Sequence, residues 1–327
     1  MGAHVIPTVK LSMMAEIVVS HESIKTKGLR FEVVTAGTGD KLALLLHGFP
    51  ECAYSWRHQI PLLAGMGYRV WAPSLRGYGT SDKPQGIREY TIDKLQQDVA
   101  DLIDASGATS VLLCGHDWGA MIAWYFAMHR RRPIERLVIM NVPHPACFYQ
   151  RARTLRQLRK SWYIGFFQIP WLPEFLLSRH NYALVARAFT RMAVDKTRFP
   201  DAVLDVFRKN ASEPGALTAM LNYYRALRFA DRQRGFPRID VPTLMIWGER
   251  DAALGKELTY GTRQYVSDFT VRYLPDVSHW VQQEAPETVN AMLEAWLEGK
   301  PVPAIPRSVR RPRRSRSQDA ATRRQRT

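Results

Sequence analysis

An aspartate stands between small residues where an apolar run gives way to a helical one: residues 110–114 lead into Gly115, His116, Asp117, Trp118, Gly119 and Ala120. A sharp strand-to-helix turn of this kind, a nucleophile elbow, exposes one side chain and tolerates only small residues beside it. Gly115, Gly119 and Ala120 meet that need, and the helix N-terminus below favours negative charge on the exposed group. An aspartate after a strand is otherwise commonly a helix N-cap; the flanking glycines and the ordered partners that follow favour a nucleophile. A carboxylate is already ionised at neutral pH, so Asp117 would attack without a base and form an ester. Two later apolar runs end in the groups that resolve such an ester. One, 244–248, leads to Glu249, Arg250 and Asp251; the other, ending at Leu274, leads to Asp276, Ser278, His279 and Trp280. In the order nucleophile, acid, histidine, His279 is the general base and Asp251 orients its ring, ahead of Glu249 and Asp276 as competing acids. Upstream, the run 44–46 ends in His47, Gly48, Phe49, Pro50 and Glu51. The backbone N–H groups of Phe49 and Trp118 are the expected oxyanion hole, and His47 reads as a structural turn histidine. No Gly-x-Ser-x-Gly occurs, which argues against a serine esterase.

The elements that must hold these residues follow from periodicity. Strands are expected at 29–36, 41–46, 68–73, 110–114, 137–141, 242–247 and 270–274, and helices at 55–66, 92–106, 118–130, 256–266 and 281–298. Short apolar runs alternating with helical periods predict crossover units and a mostly parallel sheet. Between 144 and 236 the chain is helical in character and rich in arginine and aromatics. The expectation is an α/β protein with an eight-stranded, mostly parallel sheet and a helical cap inserted after about the sixth strand. That divides the chain into core at 1–143 and 237–300, a lid at 144–236 and a tail at 301–327. With 327 residues and 46% hydrophobic content, the chain can bury a full core. Three cysteines, Cys52, Cys114 and Cys147, form no disulfide or zinc pattern. No apolar run reaches the roughly 18 residues of a membrane span, and residues 1–17 lack a secretory signal pattern, so a cytoplasmic protein is expected.

Charge is unevenly placed. The net charge is +16, and half of it comes from the nine arginines and single acid, Asp319, of residues 301–327. Almost no apolar residue follows Ile305, so this tail is expected to be disordered. A solvated tail is the plainer reading; weak, salt-dependent contact with nucleic acid or an anionic membrane is the alternative. Residues 151–160 form a basic amphipathic stretch, followed by aromatics and leucines at 162–177. It reads as a helix packed on the core with a basic outer face, with placement at a membrane surface as the alternative.

Taken together, His47 to Glu51, the run from Arg76 to Pro84, Gly115 to Gly119, and Asp276 to Trp280 resemble the α/β-hydrolase-fold epoxide hydrolases, over roughly residues 25–297. The resemblance is closest to the soluble and epoxide-hydrolase-like branches. It implies two lid tyrosines that hold the epoxide oxygen. One is Tyr163, in the segment that runs through Phe167 and Gln168 to Pro170. The other is Tyr224, in Asn222–Arg225, with Tyr223 as the alternative. Phe49, Trp118, Phe166 and Phe167 suggest an apolar pocket. The implied substrates are a small-molecule epoxide and water, the implied product is a diol, and no metal or organic cofactor is called for. A haloalkane dehalogenase, which uses the same kind of aspartate, is the rival reading. It needs a second halide donor, and Phe49 has none to offer.

Overall fold

The structure, a computed structural model, describes residues 17–151, 154–230 and 235–306. The tail beyond 306, the first 16 residues, and Ala152 and Arg153 of the basic stretch lie outside the described residues. Among the described residues, eight strands make one sheet: β1 (Val19–Lys25), β2 (Arg30–Ala36), β3 (Leu42–Leu46), β4 (Arg69–Pro73), β5 (Val111–His116), β6 (Arg136–Met140), β7 (Thr243–Gly248) and β8 (Phe269–Leu274). Their order across the sheet is β1-β2-β4-β3-β5-β6-β7-β8. β2 runs antiparallel to β1 and β4, and every other neighbouring pair is parallel.

The parallel strands are apolar throughout because helices cover both faces. β3 shows this by alternation. Leu42, Leu44 and Leu46 pack with α2 (Ile92–Ser106) and α3 (Trp118–Met128). Ala43 and Leu45 pack on the other side with α1 (Gln59–Gly65) and α11 (Pro286–Leu297). Among the described residues, six α-helices come between β6 and β7: α4 (Pro145–Arg151), α5 (Leu155–Lys160), α6 (Trp162–Phe166), α7 (Leu172–Met192), α8 (Asp201–Ser212) and α9 (Ala216–Arg225). α7 is broken by non-helical backbone at residues 179–182. Phe189, Phe199 and Phe207 of this insertion cluster with Trp280, and α9 packs into the main core through Met220, Leu221 and Tyr223. No helix among the described residues is long and apolar enough to cross a membrane.

Four local differences from the sequence reading have physical causes. β1 was not expected, because its residues are almost all exposed and carry no apolar alternation; it is an edge strand held by its pairing with β2. The helix expected at 256–266 is two short 3-10 turns, Lys256–Thr259 and Thr262–Gln264, separated by Gly261 in left-handed backbone. The helix expected at 281–298 is α10 (Val281–Glu284) and then α11, because Pro286 drives Ala285 out of helical backbone. The helix expected at 55–66 begins only at Gln59, after a 3-10 turn, Ala53–Trp56, which leaves Pro61 in the first turn of α1.

Residues 301–306, grouped with the tail above, run beside β8. Val302 is buried in the core cluster shared with α11, and the Arg272 guanidinium donates to the Val302 carbonyl. Burial of a valine contributes about 1.5–3 kcal/mol. A chain ending at residue 300 should therefore be less stable by about that amount than one ending at 306. Urea denaturation of the two proteins checks it; equal midpoints would contradict it.

Candidate active site

Each expected site residue from the sheet follows the carboxyl end of a strand. Phe49 follows β3, Asp117 follows β5, Asp251 follows β7 and His279 follows β8. β3 and β5 are neighbours although β4 lies between them in sequence. A crevice opens at such a switch in strand order.

Asp117 joins β5 to α3 with φ 48° and ψ −121°. An L-residue held there costs on the order of 1–3 kcal/mol. The surroundings enforce it through close packing at two glycines. A Cβ at Gly119 would strike the Leu46 carbonyl, and one at Gly48 would strike the Asp117 carboxyl itself. The Gly119 N–H donates to the His47 carbonyl at 2.9 Å, tying α3 to the loop after β3.

The Phe49 N–H donates to Asp117 Oδ1 at 2.8 Å. Trp118 is the first residue of α3, so its N–H precedes any carbonyl of the helix that could accept it. His279 Nε2 lies 3.4 Å from Asp117 Oδ2, and its Nδ1 lies 2.6 Å from Asp251 Oδ2. The side chain of Asp251 is closed off and that of His279 is 3% exposed, while that of Asp117 is 18% exposed. Asp117 is therefore the member of the set that a substrate can reach. The competing acids are elsewhere: Glu249 pairs with Lys256, and Asp276 is exposed.

The charges are coupled. Burial alone would lower the pKa of His279, but Asp251 and Asp117 on either side raise it to about 10. Burial would raise Asp117, and His279, His116 and the Phe49 N–H hold it below the ordinary aspartate value. Asp251 behaves alike, with His279, Asn141 and the Leu254 N–H outweighing burial. The resting site is an imidazolium between two carboxylates.

Both expected lid tyrosines face this centre. Tyr163 on α6 and Tyr224 on α9 have ring centroids 5.8 Å apart, and Tyr224 meets Phe49 and Trp118 edge-on at 5.3 Å and 5.2 Å. Burial, then the carboxylates of Asp117 and Asp251, push the Tyr163 phenol up; burial and Asp117 do the same to Tyr224. Both are protonated donors at neutral pH. Tyr223 points away, and its hydroxyl donates to the Arg76 carbonyl at 2.9 Å. Phe167 packs on Phe49, whereas Phe166 lies further out, against Phe167 and Trp162. Beside Trp118 lies an apolar cavity of about 490 Å³, lined among others by Met121, Tyr125, Phe148, Ile164 and Tyr223. His47 is buried, accepts the Leu75 N–H at 3.0 Å on Nε2, and is kept neutral by burial, which lowers its pKa to about 4.

Sequence reasoning missed Asn141. It follows β6 with φ 50°, donates to Asp251 Oδ2 at 2.8 Å and accepts the Gly248 N–H at 2.9 Å. It thereby fixes the acid that fixes the histidine. Its one signal was a polar residue closing an apolar strand. Glu51 and His116 were visible inside motifs but had no assigned partners.

With Asp117→Asn the hydrogen-bonding shape remains and one negative charge goes. The pKa of His279 should fall from about 10 toward the ordinary value of 6.5. A ¹⁵N NMR titration of the ring reads this directly, and an unchanged value would contradict the coupling.

Comparisons with known proteins identify the fold family and relatives of the chain. Residues 43–286 match the family model described as alpha/beta hydrolase fold. Over 286 residues the chain is 40% identical to epoxide hydrolase 4 of Homo sapiens, covering 84% of this chain and 77% of that protein. It is 38% identical to epoxide hydrolase 3 of Xenopus tropicalis over 282 residues, 84% of this chain and 76% of that one. Among solved structures, a Bacillus megaterium epoxide hydrolase in complex with an inhibitor superposes with a TM-score of 0.78 at 31% identity, covering 85% of this chain and all of the other.

Proposed function

The chain belongs to the epoxide hydrolases of α/β-hydrolase fold, and on that premise we propose that it converts an apolar epoxide to a vicinal diol through a covalent ester on Asp117. The observation that carries this reading is the placement of His279 between Asp251 and Asp117, beneath two protonated phenols. Oδ1 of Asp117 already accepts the Phe49 N–H, which leaves Oδ2 for attack on a ring carbon. As the carbon–oxygen bond breaks, the departing oxygen takes a proton from Tyr163 or Tyr224. A phenol of pKa near 10 or above can protonate an alkoxide and still be protonated before the reaction. Positioned acids of this kind contribute on the order of 10²–10⁴-fold.

Esterification removes the charge on Asp117. One of the two anions that raised the pKa of His279 is gone, so the ring gives up its proton, which restores the phenol. Neutral His279 then takes a proton from water, and the water oxygen adds to the ester carbonyl carbon. The negative oxygen that develops lies where the Phe49 and Trp118 N–H groups can receive it, each such donor being worth roughly 3–4 kcal/mol. Collapse expels the diol, protonated by His279, and leaves a protonated Asp117 carboxyl, whose proton then passes to His279 and restores the resting carboxylate and imidazolium. The helices between β6 and β7 act as the lid over this site, and the rings of Phe49 and Phe167 beside Tyr224 suit an apolar substrate. A dehalogenase is disfavoured because Phe49 supplies no side-chain donor for halide and its ring is packed against Phe167 and Tyr224.

With enzyme in excess in ¹⁸O water, a single turnover should give unlabelled diol and leave the label on Asp117. Label in the first diol would mean that water attacks the ring directly. Ester hydrolysis should also depend on pH with a definite sign. Protonated His279 cannot accept a proton, so the rate should rise with pH and level off, with a midpoint below about 10 because the ester lacks the Asp117 charge. Rapid-quench measurement of the ester across pH checks this; a rate that falls as pH rises would refute it.

A further inference from the structure

A second cavity, of about 540 Å³, lies along the face of α9 turned from the catalytic centre. Tyr224 faces Asp117. Asn222, two positions earlier on the same helix, is directed about 200° away from it and lines this cavity. The other walls are residues 83–87 with Tyr90, in the segment before α2, and Gln168, Pro170 and Trp171 between α6 and α7. None of the catalytic, oxyanion or lid-tyrosine residues assigned above borders it.

The polar groups of this cavity are suited to an anion. Asn222 is 6% exposed, yet its side-chain amide has no hydrogen-bond partner among the described residues. A buried amide left unpaired is costly, and a ligand in the cavity would supply the partner. Lys83 donates to the Ser81 carbonyl at 3.1 Å, and Arg228 to the Arg225 carbonyl and to Gln168 Oε1. Neither cation is paired with a carboxylate among the described residues. Arg225 is different, because both arms of its guanidinium are held by Glu174, at 2.6 Å and 2.9 Å. No carboxylate borders the cavity among the described residues; Glu213, Asp82 and Glu32, whose charges act on Lys83, stand outside its walls. Pro84, Ile87, Pro170 and the ring of Trp171, which is 75% exposed, add apolar surface.

We propose that this cavity binds a small organic carboxylate, with its anionic head at Lys83, Arg228 and Asn222 and its apolar body against Ile87, Pro170 and Trp171. Two uncompensated cations and a neutral amide suit a single negative charge, and the apolar walls suit a carbon body better than a bare ion. Such a ligand would span Lys83, in the segment before α2, and Asn222 and Arg228, on α9 and the turn Ala226–Phe229 that continues it. It would thereby brace α9 from the side opposite Tyr224. The site goes beyond the proposed ester chemistry and does not depend on it.

Phenylacetate is the probe, with phenylacetamide as its uncharged counterpart. Isothermal titration calorimetry on the full chain should show saturable one-to-one binding of phenylacetate, with phenylacetamide weaker by about tenfold or more. Lys83→Met, Arg228→Gln and Asn222→Leu should each weaken phenylacetate by about tenfold. Lys83 is partly exposed and Arg228 exposed, so those two variants keep the test open even if Asn222→Leu does not fold. Asp117→Asn should leave the affinity unchanged, because the catalytic centre is across α9. No saturation in the millimolar range, or equal binding of acid and amide, overturns the proposal. Full affinity in the Lys83→Met, Arg228→Gln double variant also overturns it, by assigning the binding to the arginines of residues 301–327. An affinity altered by Asp117→Asn overturns it by assigning the binding to the catalytic centre. Tighter binding of inorganic phosphate than of phenylacetate would overturn the carboxylate assignment.

Discussion

His279 is held between two carboxylates, 2.6 Å from Asp251 and 3.4 Å from Asp117, in a place nearly closed to water. At about 4 Å and an effective dielectric constant near 20, unit charges interact by about 4 kcal/mol. That is enough to decide whether an imidazole keeps its proton. One of the two carboxylates is also the group proposed to react. Its charge is present before the first bond forms and absent afterwards, so the basicity of the ring is tied to the stage of the cycle and no part of the protein has to move. The remaining features serve to keep that line of three groups in place: Asn141 behind Asp251, the strained backbone at Asp117, and the Phe49 N–H on its outer oxygen.

The sheet is what allows residues so far apart in sequence to meet. Parallel strands bring all their carboxyl ends to one edge, and neighbours in the sheet present their loops side by side. The pairing of β3 with β5 is one such approach, tight enough that Gly48 and Gly119 admit no side chain. Asp117 and the Phe49 N–H beside it are thus set by backbone packing, whereas Asp251 and His279 are set by side-chain hydrogen bonds from later loops.

Much of this was readable in advance, for reasons that can be stated. Buried parallel strands are continuous apolar runs, so β3, β5, β6, β7 and β8 announced themselves, and chemistry-bearing residues at their ends stood out by contrast. The elbow was legible because sterics force its neighbours to be small. β1 was not, because an exposed edge strand needs no apolar pattern. The short turns around Gly261 lay below the resolution of periodicity. Tyr163 and Tyr224 came from resemblance, since nothing in a helical aromatic says which neighbour it faces. Asn141 could not be assigned because its partners lie 107 and 110 residues away, nor Glu51, whose side-chain partners His116, Gln282 and Gln283 lie 65, 231 and 232 residues away. Such contacts exist only once the chain is folded.

Adjacent tyrosines on α9 have opposite fates: the hydroxyl of Tyr223 is spent on Arg76, while Tyr224 faces Asp117. Consecutive positions on a helix differ by about 100° in direction. Rolling α9 about its axis to re-aim Tyr224 would break a buried bond to the sheet domain's own backbone. The proposed acid is therefore indexed by its neighbour, much as a keyed shaft can seat at only one angle.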